Sequence, residues 1–146
     1  MSEFPDIQIV LEPHAALVTN DADRTLQLLR DVNGLPQLAV MSRFSRIQWR
    51  LLLPILRAYP SYVAYEDLIA TLRGVSLPTA QQQLEEARRT KTLRQELKAV
   101  RNAIDHIDAK LTRFNFTLAP IHQRGYALAL LRREEKYGNS PSFVER

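Results

Sequence analysis

Three segments in a fixed order constrain this fold more than anything else in its 146 residues. Residues 44–73, FSRIQWRLLLPILRAYPSYVAYEDLIATLR, come first, then VRNAIDHIDAKL (100–111) and IHQRGYAL (121–128). In the first, Ile47, Leu51, Leu52, Ile55 and Leu56 recur at the spacing of a helix with one buried face. Pro60 breaks that helix, because it donates no backbone hydrogen bond and pushes Tyr59 out of helical geometry. Tyr65-Glu66-Asp67 begins a second helix, with acids in the first turn where the helix dipole favours them. It is expected to bury Leu68, Ile69 and Leu72 and to stop at Gly74. At about 100° per residue, Leu93, Leu97, Val100, Ile104, Ile107 and Leu111 share one face of a further helix. Phe114–Leu118 alternates like a strand, and Ile121–Leu131 supplies its partner through the turn His122-Gln123-Arg124-Gly125, with Pro120 at its start.

At these residues the chain resembles the DNA-binding effector domain of OmpR/PhoB-type response regulators, a winged helix-turn-helix. Ser45, Gln48, Trp49, Leu51 and Leu52 match the family's first-helix pattern. Pro60, Ser61 and Val63 match its turn, and Val100, Ile104, Ile107, Lys110 and Leu111 its third helix. Gly125, Tyr126 and Leu128 match the closing Gly-Tyr-x-Leu of the wing. The resemblance spans about residues 44–130 with one insertion. It implies an α+β fold: a winged helix over 43–132, an N-terminal strand-rich segment over 1–42 packing on the same domain, and a polar tail over 133–146.

The remaining segments are read from their own pattern. IQIVLEP and HAALVTN are expected as strands, and LPQLAVMS as a further strand. DADRTLQLLRDVNG is expected as a helix of two to three turns, capped by Asp21 or Asp23 and ended by Gly34. Residues 75–92 depart from the family, which has a short loop there. VSLPTAQQQLEEARRTKT is longer and helical in character, with Thr79/Gln82 and Thr92/Gln95 spaced as capping boxes. Leu84 falls opposite the apolar face of the helix that follows, so a break near Thr90–Thr92 is expected. An extra helix therefore precedes the recognition helix. Some forty N-terminal residues cannot form a doubly wound receiver sheet, so regulation by aspartyl phosphorylation is not expected.

Charge is distributed unevenly. Six acids against two arginines leave residues 1–40 at −4, so the rest of this +4 chain holds +8. A basic balance on the helical part is what a phosphate-binding surface requires. The resemblance implies that the third helix enters the major groove, which makes Arg101, Asn102, Asp105, His106 and Asp108 the candidate base readers. Arg suits guanine and Asn suits adenine, whereas the two aspartates repel phosphates unless one accepts from cytosine or orients an arginine. Arg43, Arg46, Arg50 and Arg57 lie within about 60° on one helix face. The first three, with Lys98 and the wing residues His122 and Arg124, are the candidate backbone and wing contacts. A solvated helix face is the plain alternative for such a stripe.

By analogy with the family's polymerase-contacting loop, residues 76–92 are the expected contact with RNA polymerase or another transcription factor, through Gln81, Gln82, Glu85, Arg88 and Arg89. The expected function is a cytoplasmic DNA-binding transcriptional regulator acting on double-stranded DNA, and a homodimer is compatible with it. The alternative is a winged helix that binds a protein and does not itself read DNA, which Asp105 and Asp108 favour. Catalysis has little support: His14, His106 and His122 are scattered and no nucleophile or phosphate-loop motif occurs. There is no cysteine, so neither thiolate chemistry nor a disulfide arises. No metal or cofactor is expected, no segment is long and apolar enough for a membrane span, and the acidic start carries no signal-peptide run. The polar tail EEKYGNSPSFVER is expected to fray or to dock on a partner.

Overall fold

The computed structural model describes residues 6–11 and 14–131. The polar tail lies outside them. The architecture is mixed α+β, and it begins with a four-stranded antiparallel sheet, β1 (Gln8–Leu11), β2 (Ala15–Asn20), β3 (Thr25–Val32) and β4 (Leu35–Arg43), in sequential order. Helix α1 (Arg46–Ala58) leads through the short strand β5 (Tyr62–Ala64) to α2 (Tyr65–Arg73). Then come α3 (Leu77–Arg89), the single turn α4 (Leu93–Glu96) and α5 (Lys98–Leu111). A 3₁₀ turn (Thr112–Phe114) precedes the hairpin β6 (Phe116–Ile121) and β7 (Gly125–Leu130), and β7 lies centrally in a second sheet ordered β5-β7-β6.

The expected helix over residues 21–34 is strand β3. Leu26 and Leu28 point into the core together with Leu17 of β2, a period of two that only a strand satisfies. Asn33 and Gly34, both at positive φ, form the two-residue link between β3 and β4. This Asn-Gly pair is the turn that matches the twist of a hairpin. Arg24, also at positive φ, closes the preceding turn with its N–H on the Asp21 carbonyl.

Ser45 caps α1: its Oγ accepts from the Gln48 N–H, while the Gln48 side chain accepts from the Ser45 N–H. Of the expected apolar stripe on this helix, Leu51, Leu52, Ile55 and Leu56 are buried, but Ile47 is 43% exposed. Gly74 takes the left-handed conformation that ends α2, as expected, and Leu72 is only half-buried. In α3 the cap is Ser76 and not Thr79, whose own N–H donates to Ser76 Oγ. The chain does break after Arg89, with Lys91 at positive φ, but Thr92 forms no side-chain cap. Strand β6 starts two residues later than expected, since Phe114 is buried in the 3₁₀ turn, and Pro120 lies inside it.

One core unites both sheets. Leu17, Leu26 and Leu28 join Phe44, Trp49, Leu51, Leu84, Val100, Ile104 and Phe116 in a single buried cluster. Trp49 Nε1 donates to Asp21 Oδ1 at 2.7 Å, tying α1 to the β2–β3 turn. The far end of β4 is held by the last turn of α5 and the 3₁₀ turn that follows it. Lys110 Nζ donates to the Arg43 carbonyl at 2.6 Å, and Arg113 donates to the Met41 carbonyl and to Ser42 Oγ.

Candidate nucleic-acid interface

Helix α5 buries Val100, Ile104, Ile107 and Leu111 and so must turn its opposite face outward. Arg101, Asn102, Asp105 and His106 are all exposed there, and Lys98 is exposed at its first turn. Asp108 does not share that face. Its Oδ1 accepts from Thr117 Oγ1 at 2.6 Å and from the Leu118 N–H at 2.8 Å, bracing α5 against β6. A carboxylate bound to two donors inside the molecule is not presented for base reading. That corrects the expectation and removes one of the two acids that weighed against a DNA-facing helix.

The β6–β7 turn carries His122 and Arg124, both exposed. It is pinned from behind, where the Tyr65 N–H at the start of α2 donates to the Arg124 carbonyl at 2.8 Å. Gly125 follows because nothing larger fits: a Cβ there would lie 1.8 Å from the Val63 carbonyl oxygen of β5. Tyr126, next in β7, packs edge-on against Tyr65 with ring centroids 5.9 Å apart. Burial holds the Tyr126 phenol above its usual pKa range, and Tyr65 and Asp105 push the same way. The neighbouring Arg101 guanidinium favours the charged form and opposes them. Arg101 thus lies beside a pair of edge-packed tyrosines, one of which follows the wing turn and the other of which pins it. The Gly-Tyr pair signalled the hairpin, but the sequence offered no sign that its tyrosine would reach back to Arg101.

The expected backbone contacts divide. Lys98, His122 and Arg124 stand with α5 and the wing. Arg43, Arg46 and Arg50 are exposed elsewhere, on the end of β4 and on α1. Arg50 lines a groove shared with the end of α2, to which α5 and the wing contribute no residue. Helix α3 exposes Gln81, Gln82, Glu85, Arg88 and Arg89 while burying Ala80, Leu84 and Ala87 against the core. Arg88 reaches Glu66 of α2, Arg89 pairs with Glu86, and Arg73 bridges Gln83 and Glu96. Glu86 and the Arg73 bridge line a polar groove of about 540 Å³ between α2, α3 and α4. Among the described residues no cluster of His, Cys, Asp or Glu could hold a metal ion, and no helix is long and apolar enough to cross a membrane. Comparison of the chain with protein-family models, with curated proteins and with solved structures finds no match.

Proposed function

We propose that this chain is a winged helix-turn-helix DNA-binding protein, a transcriptional regulator built like an OmpR/PhoB effector domain. The observation that carries the reading is the exposed face of α5, with Arg101, Asn102 and His106, whose Arg101 lies beside Tyr126 of the hairpin that carries the exposed β6–β7 turn. The order β5-β7-β6 behind it is what a winged helix requires. In this reading α5 enters the major groove, Arg101 and Asn102 read base edges, and Lys98 holds a phosphate. Arg124 and His122 meet the adjacent minor groove, where narrow A·T tracts concentrate negative potential. The exposed face of α3 is the candidate contact for RNA polymerase or another factor, an analogy with the family loop it replaces.

A second reading, a winged helix that holds a protein on the same face, draws on Asp105, an exposed carboxylate in its middle. Titration of labelled duplexes at several salt concentrations separates the two. DNA binding through phosphates predicts a log–log salt slope of roughly −4 to −8. Lys98→Ala should weaken all duplexes alike, while Arg101→Ala should relax preference at one base pair, costing about 1–3 kcal/mol. No binding at low salt, or a flat salt response, sinks the DNA reading.

A further inference from the structure

The groove on α1 points to a different partner from the surface just described. It has a volume of about 320 Å³ and lies between α1 and the C-terminal end of α2. Half-buried Pro54 and Ala70 supply its apolar surface over the buried Leu53, exposed Arg50 its charge, and no carboxylate is among its lining residues. Arg46, exposed one helical turn before Arg50, extends the cationic stripe, and the sequence holds no acid between Asp31 and Glu66. Two helical hydrogen bonds are missing from the elements that form the groove. Pro54 has no N–H to give the Arg50 carbonyl four residues earlier. The Thr71 carbonyl lacks its helical donor too, because the Val75 N–H turns to Ala70.

We propose that this groove docks a segment of a partner protein that presents acidic side chains beside an apolar anchor, as an acidic amphipathic helix does. Carboxylates meet Arg50 and Arg46, and an aliphatic side chain covers Pro54 and Ala70. A DNA backbone fits less well. It has no aliphatic group to bury on the groove floor, so the apolar lining would gain nothing from it. The proposal does not depend on whether α5 reads DNA.

The test uses the full chain with labelled methyl groups and two synthetic helical peptides that share a leucine stripe, one flanked by glutamates and one by lysines. The glutamate peptide should shift the methyl signals of Leu53, Ala70 and Thr71, and the lysine peptide should not. Arg50→Glu should weaken the glutamate peptide by at least about tenfold and allow the lysine peptide to bind. Arg46→Gln, a milder change that guards against misfolding of the first variant, should cause a loss of a few-fold. Any of four results overturns the proposal: no shift with the glutamate peptide, equal affinity for wild type and Arg50→Glu, shifts confined to α5 and the wing, or the same methyls responding to a DNA duplex. Shifts that grow with protein concentration alone would assign the groove to a second copy of the chain and overturn it as well.

Discussion

Asp108 and Tyr126 show what single residues do behind the α5 surface. Asp108 was legible as a carboxylate three residues from Asp105. Its partners Thr117 and Leu118 lie beyond a chain reversal, and no helical spacing reveals such a contact. Because it accepts from both, Asp108→Ala should leave the Leu118 N–H unsatisfied and cost roughly 1–3 kcal/mol in a denaturant titration. Asp108→Asn keeps an acceptor and should cost less. Tyr126 predicts a pH dependence. Its folded pKa is raised, so its stabilising share is whole below the unfolded value of about 10 and is lost as pH climbs towards the folded value. Stability measured from pH 9 upward should therefore fall, and Tyr126→Phe should flatten that fall. An equal slope in both proteins would place the alkaline loss on another group.

At the scale of elements, the helices were readable because their apolar residues repeat at helical spacing and each buries one stripe. Strand β3 was not, since Leu26, Leu29 and Val32 also fit a helical spacing. What decides is the Asn33-Gly34 pair, a turn signal that outweighs periodicity in so short a run. For α3 its existence and its break after Arg89 could be read, whereas its Ser76 cap and its place in the core could not. Leu84 is fully buried in the cluster that contains Val100 and Ile104. Leu84→Ala should accordingly cost about 2–5 kcal/mol, and replacing 77–91 by a tight loop should lower the melting temperature sharply. Unchanged melting in both variants would make α3 an appendage and return it to the role of a detachable contact element.

Over the whole molecule, the division at residue 42 follows the charge pattern but not the core, which runs through both parts. Trp49, the only tryptophan, sits at the junction with its indole on Asp21. Its fluorescence and far-ultraviolet circular dichroism should therefore report one coincident unfolding transition. Separate midpoints would mean that the first sheet melts on its own. That sheet ends at β4, an outer strand nine residues long, and such an edge is an invitation for another chain to add itself. Here Pro36 withholds a donor, and the Met41 and Arg43 carbonyls are already occupied by Arg113 and Lys110. The residues that seat α5 against the first sheet thus also act as chain terminators. They occupy acceptors that an added strand would need, so a change that loosens the end of α5 is expected to leave this edge of β4 more open to strand addition.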